Sequence, residues 1–149
     1  MNKASSPQQQ DAPPPAANAG GLRVLLVDDD PLLREALSQF LRVKGWTVAL
    51  AEHGAEALEL LQRSPFTAVV LDLIMPGMEG IETLTQIRRH YPRLPVIAIS
   101  GGGRNDPECY LPMAITLGAR RVLPKPFDPH QLNALLHEII PPASTMAAP

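Results

Sequence analysis

The sequence has only one cysteine, Cys109, which excludes an intramolecular disulfide and predicts a reducing compartment, with the cytoplasm as the expected location. No apolar stretch approaches the ~20 residues that span a bilayer. The N-terminal MNKASSPQQQDAPPPAANAGG lacks an apolar h-region, so no secretory signal is expected. Thirteen basic against fifteen acidic residues leave a net charge of -2, which gives nucleic acid and anionic membranes no bulk attraction. Partners must therefore be recognised by a site. With 149 residues there is room for one well-formed domain and not for two.

Prolines, alanines and polar residues dominate residues 1–20, and the closing PPASTMAAP has the same character. Neither carries enough apolar surface to offset the entropy of ordering it, so both are predicted to be disordered tails, over 1–20 and 141–149. A single folded domain is expected over 21–140. Within it, LRVLLV (22–27), TVAL (47–50), AVVL (68–71), VIAI (96–99) and RVL (121–123) are short continuous apolar runs, the mark of strands covered on both faces. The segments between them have helical spacing, as in Leu33, Ala36, Leu37, Phe40, Leu41 and in Leu132, Leu135, Leu136, Ile139, Ile140. Five strands alternating with five helices predict an α/β fold. Right-handed crossovers make it a doubly wound, five-stranded parallel sheet with a ligand crevice at the carboxyl ends of the strands.

Three Asp-Pro pairs, at Asp30-Pro31, Asp106-Pro107 and Asp128-Pro129, stand near expected helix starts. Aspartate is a favoured N-cap and proline a favoured first helical residue, so Asp30 is assigned to capping. Pro112 would break a helix begun at Asp106, and that helix is expected to start near Leu111 or to be kinked. Asp28 and Asp29 are left at the end of the first strand. Asp72 ends the third, before a Pro- and Gly-marked loop and a helix from about Glu79. If strands one and three are neighbours, as in the flavodoxin-like strand order 2-1-3-4-5, the three carboxylates converge, and their mutual repulsion calls for a cation. An all-oxygen acidic site suits Mg2+, which keeps several waters and also binds phosphate. Ser100 after VIAI adds a hydroxyl, and Lys125 after RVLP adds a compact cation. Acids, hydroxyl and lysine at the carboxyl ends of parallel strands describe phosphoryl transfer onto a carboxylate.

The stretches VLLVDDDPLLR, VVLDLIMPGMEGIE, LPVIAISG and GARRVLPKPF, in this order and spacing, resemble the receiver domain of two-component response regulators. The resemblance covers about residues 22–140. It implies that Asp72 is the phosphoacceptor, that Asp29 and Asp72 ligate Mg2+ directly with the backbone carbonyl of Ile74, and that Asp28 holds the ion mainly through water. It also implies that Ser100 binds a phosphoryl oxygen in the activated state, that Lys125 pairs with phosphate or carboxylate, and that the Lys125-Pro126 bond is cis. The implied partners are a sensor histidine kinase or histidine phosphotransfer protein and a downstream target. The target would dock on the face of the fourth helix, fifth strand and fifth helix, on a monomer or weak homodimer.

Three departures from the family pattern matter. Val122 stands where many receivers carry a switch aromatic, and Tyr110 is either its substitute or, the preferred reading, an ordinary packing tyrosine. The loop GGGRNDPECY is glycine-rich and lacks the Lys-Ser/Thr of a phosphate-binding P-loop, so it is assigned flexibility. Ile74 places an apolar side chain where water enters, which implies a longer-lived phosphoryl group. His53, His90, His130 and His137 show no metal-ligand spacing and are expected at the surface, as is the basic cluster Arg88, Arg89, Arg93. Trp46, at the opening of the second strand, and Met75 and Met78 are assigned to packing.

The expected function is that of a single-domain receiver, not an enzyme beyond its own aspartyl phosphorylation and dephosphorylation. Rival readings are a docking module that never uses Asp72, the receiver fragment of a longer regulator, and a Mg2+-dependent hydrolase with an aspartyl intermediate. The hydrolase ranks last, because Leu73-Ile74 follows Asp72 in place of an Asp-x-Asp arrangement.

Overall fold

Apolar runs too short for helices become parallel strands when helices cover both faces of the sheet. The computed structural model, which describes residues 21–75, 79–101 and 110–140, follows that rule. Strands β1 (Arg23–Val27), β2 (Thr47–Ala51), β3 (Ala68–Asp72), β4 (Val96–Ser100) and β5 (Arg121–Pro124) alternate with five helices. The helices are α1 (Pro31–Val43), α2 (Gly54–Arg63), α3 (Glu79–His90), α4 (Tyr110–Thr116) and α5 (Pro129–Ile139). Every pairing is parallel and the order is β2-β1-β3-β4-β5, the expected doubly wound sheet. The two tails, the loop from Gly102 to Cys109, and Asp106-Pro107 within it lie outside the described residues, as does Met78.

Side-chain alternation along the strands divides the core in two. Leu25, Val27, Val69, Leu71 and Ala98 pack with Leu61 of α2, Ile87 of α3 and Ala114 of α4. Val24, Leu26, Val70, Ile97 and Ile99 face the other way, onto Leu37 and Leu41 of α1 and Leu132 and Leu136 of α5. Register then sets the carboxyl edge. Val27 pairs Leu71, so Asp28 and Asp72 follow side by side, while Asp72 pairs Ile99 and Ser100 pairs Pro124.

Local chemistry starts the helices as anticipated. Asp30 Oδ1 accepts from the amides of Leu32 at 3.1 Å and Leu33 at 3.4 Å, with Pro31 in the first turn. Asp128 does the same for His130 at 2.9 Å, ahead of α5. The α4 helix is described from Tyr110 to Thr116, beside the expected start at Leu111, and includes Pro112.

Two expectations are corrected. Trp46 packs in the core as expected, but it precedes β2 rather than opening it: its indole Nε1 donates to Asn133 Oδ1 at 2.8 Å, and His137 lies against the ring, so it also fastens α5. Arg88 does not belong to a solvated basic face, although Arg89 and Arg93 are exposed. Its guanidinium donates to the carbonyls of Tyr91 (3.1 Å), Pro92 (2.8 Å), Leu94 (3.1 Å) and Gly118 (2.8 Å), tying the end of α3 to the turn before β5. Planar fork geometry, which sequence periodicity does not report, gives arginine this role. Among the described residues, no helix is long and apolar enough to cross a membrane.

Candidate functional site at the carboxyl edge of the sheet

Asp28 continues β1, and its amide still donates to Ala51 O at 3.1 Å, as if the strand were one residue longer. Its Oδ1 accepts from the Asp30 amide at 2.9 Å, and Arg34 donates to its carbonyl at 2.6 Å. Those bonds hold Asp28 fully buried with Oδ2 turned to the crevice. Asp72 ends β3, as expected, and is buried too. Its Oδ1 accepts from the Ile74 amide at 3.0 Å. Asp29 is exposed at the mouth, and one carboxylate oxygen from each of Asp28, Asp29 and Asp72 lies within 4.8 Å of the others. The predicted convergence of three acids is therefore present. Hard carboxylate oxygens with one open side fit Mg2+ rather than a softer metal.

Lys125 Nζ stands 3.1 Å from Asp28 Oδ2 and 3.3 Å from Asp72 Oδ2. Its own amide donates to Ser100 O at 2.8 Å, and its stem crosses the end of β4 over Gly101, where an added Cβ would sit 2.9 Å from Lys125 Cδ. The Lys125-Pro126 bond is cis, as the resemblance implies. Ser100 ends β4 fully buried, and its Oγ has no hydrogen-bond partner among the described residues. Leaving a buried hydroxyl unpaired costs about 1–3 kcal/mol, so this one is poised for an acceptor that enters the crevice.

Burial raises the Asp72 pKa from 3.8 to about 6; Lys125 opposes the rise, and Asp28 adds to it. For Lys125, burial pulls down, but Asp72 and Asp28 together hold the ammonium pKa above its ordinary value. The two shifts agree physically, since the lysine faces two anions whereas Asp72 faces one cation and one anion. One ammonium does not neutralise the pair of buried carboxylates, and a second cation is favoured there.

Sequence reasoning found the acids, the hydroxyl and the lysine but missed their supports. Gly80 is needed because a Cβ there would strike the carbonyl of Asp72 and come within 2.5 Å of Leu73 Cα and O. The available signal was a glycine one residue into a helix, where glycine is otherwise unfavourable. His53 caps α2, its Nδ1 accepting from the Glu56 amide at 3.3 Å, a role its residue type does not advertise. The four histidines are exposed, as expected. Ile74 is 37% exposed beside Asp72, and Val122 is half-buried in β5 opposite Ala98. The Tyr110 side chain lies outside the described residues.

An open parallel sheet of this strand order, with its acidic crevice at the carboxyl edge, defines the CheY-like receiver class. Residues 24–137 match the model of the response regulator receiver domain, and the chain belongs to that family. It is 39% identical over 118 residues to the transcriptional regulatory protein CpxR homolog of Haemophilus influenzae, covering 79% of this chain and 50% of that protein. It is 35% identical over 119 residues to the response regulator MprA of Mycobacterium sp. (strain KMS), covering 80% of this chain and 50% of the relative. The receiver domain of NtrX from Brucella abortus superposes with a TM-score of 0.72 at 28% identity, covering 78% of this chain and 96% of that one. The chain thus spans about half the length of the curated relatives it matches. Receiver domains of response regulators serve two-component signalling.

Proposed function

We propose that the protein accepts a phosphoryl group on Asp72 from a phosphohistidine of a histidine kinase or phosphotransfer protein, and signals by altered docking to a target. The observation that carries this reading is the Lys125 bridge between two buried carboxylates, with the unpartnered Ser100 hydroxyl in the same crevice. In the reaction an Asp72 carboxylate oxygen attacks phosphorus, a P–O bond forms as the P–N bond breaks, and the departing imidazole takes a proton from solvent. Lys125 holds positive charge at the oxygens where negative charge develops. Asp28, Asp29 and Asp72, with the Ile74 carbonyl, would hold Mg2+, which when bound compensates the carboxylate and phosphoryl charge. Apart from this self-modification and its hydrolytic reversal, the protein is not an enzyme in this reading.

Ser100 then donates to a phosphoryl oxygen, satisfying its buried hydroxyl and biasing the face of α4, β5 and α5 toward its docking state. Two features support that face: β5 is an edge strand, and α4 exposes the apolar Met113 and Ile115. Partners are proteins, the chain works in the cytoplasm, and it is monomeric or weakly dimeric. This reading applies equally to a receiver that stands alone and to one that is part of a longer regulator.

The test is the intact mass after incubation with acetyl phosphate and Mg2+, beside Asp72→Asn. A gain of one phosphoryl group in the parent alone, lost in mild base, is expected. A folded, Mg2+-binding parent that gains nothing from acetyl phosphate or from a phosphorylated histidine donor would leave a docking module that does not use Asp72.

A further inference from the structure

The acid cluster is supported from outside by a contact between two helix starts. The Glu79 carboxylate, at the first residue of α3, accepts from the Gly54 amide at 2.8 Å, at the first residue of α2. This is one of the α2 amides that has no partner within its own helix. Helix α2 approaches so closely because Gly54 has no side chain: a Cβ there would collide with Thr83 Oγ1, which itself donates to Glu79 O at 2.7 Å. The next residue, Gly80, presses on the backbone of Asp72 and Leu73. At the other end, Gly54 follows the β2 end, where Ala51 O accepts the Asp28 amide. The Glu79–Gly54 bond therefore closes a ring of contacts that runs from Asp72 through Gly80, Glu79, Gly54 and Ala51 to Asp28.

We infer that Glu79 is a positioning residue for the phosphoacceptor, latching the start of α2 to the start of α3 so that Asp28 and Asp72 are held at a fixed separation. It touches neither acid and acts through backbone. The inference rests on the reading of Asp72 as phosphoacceptor. Its requirement is an acceptor oxygen in place, not a negative charge, so glutamine would preserve the latch and alanine would open it.

The test compares the parent with Glu79→Ala and Glu79→Gln in three measurements: phosphorylation rate with acetyl phosphate at saturating Mg2+, Mg2+ affinity by calorimetry, and hydrogen exchange at the Gly54 amide. Glu79→Ala is expected to slow phosphorylation about tenfold, less than the ~100-fold that a misplacement of about 1 Å can cost. It should also weaken Mg2+ binding several-fold and speed Gly54 exchange, while Glu79→Gln stays within about twofold of the parent on all three. A lowered melting temperature with unchanged rate and affinity in Glu79→Ala would reduce Glu79 to a packing role and overturn the inference. So would Glu79→Gln behaving as Glu79→Ala, which would make charge the relevant property. If Glu79→Ala does not fold, parent-like values in Glu79→Gln uphold the latch and slowed ones overturn it. If the parent itself gains no phosphoryl group, the reading of Asp72 fails, and Mg2+ affinity then decides the latch: equal affinities in parent and Glu79→Ala refute it.

Discussion

Lys125, which follows β5, and Asp72, which ends β3, pair at 3.3 Å although β4 lies between those two strands. The lysine crosses that strand at Gly101, where a side chain would obstruct its stem. A methyl group there would come within 2.9 Å of Lys125 Cδ, so the flexible stem would have to shift to keep the pairing. The pairing also leaves an excess of negative charge, because the same ammonium serves Asp28.

That excess has a sign in stability. Burial first, with Asp28 adding, raises the Asp72 pKa from 3.8 to about 6 despite Lys125, so the folded state holds this proton more tightly than the unfolded chain. Stability from this group is present below the unfolded value and is lost as pH rises through about 6. Without divalent cations, Asp72→Asn is expected to be more stable than the parent at pH 8 by about 1–3 kcal/mol, with the gap closing near pH 4. Urea denaturation at both values checks this, and equal stability at pH 8 would refute it.

Mg2+ should relieve the same repulsion. A ligand at about 100 times its Kd stabilises the folded state by about 2.7 kcal/mol. Asp29 is exposed, so Asp29→Asn is expected to unfold within about 0.5 kcal/mol of the parent in the absence of metal. It should then lose most of the Mg2+-dependent rise in melting temperature. Identical Mg2+ titrations of parent and variant would remove Asp29 from the ligand set.

Arg88 makes a prediction remote from the site. Its guanidinium serves four carbonyls, and truncation leaves them without their charged donor. Arg88→Ala is expected to cost about 2–4 kcal/mol, and Arg88→Lys to recover less than half, because an ammonium cannot fork to both sides. Denaturant midpoints of the three proteins measure it. A loss under about 0.5 kcal/mol would return Arg88 to the solvated surface.

Ile74 offers a kinetic prediction within the proposed function. Its apolar, part-exposed side chain adjoins Asp72 and offers an incoming water no hydrogen bond. Ile74→Asn supplies a polar group there, and loss of the phosphoryl group is expected to quicken several-fold. Equal dephosphorylation rates in parent and variant would show that residue 74 does not control water access.

The alternation of apolar runs with amphipathic segments was enough to determine the α/β class, the five strands and the five helices, because both periodicities are local properties of the chain. Asp-Pro chemistry likewise identified the starts of α1 and α5, since a cap acts within a few residues. The candidate acids, hydroxyl and lysine were legible as strand-end residues once the sheet was parallel. Tertiary structure alone decided what supports them. Only when β3 lies beside β1, with β4 between β3 and β5, do Gly80 and Gly101 become places where a methyl group would collide, and Glu79 a partner for Gly54. The same holds for Arg88 and Trp46, whose partners lie up to 30 and 87 residues away in the chain. Local pattern records which face of an element turns inward. What an individual side chain meets there depends on elements brought together by the packing of the whole sheet.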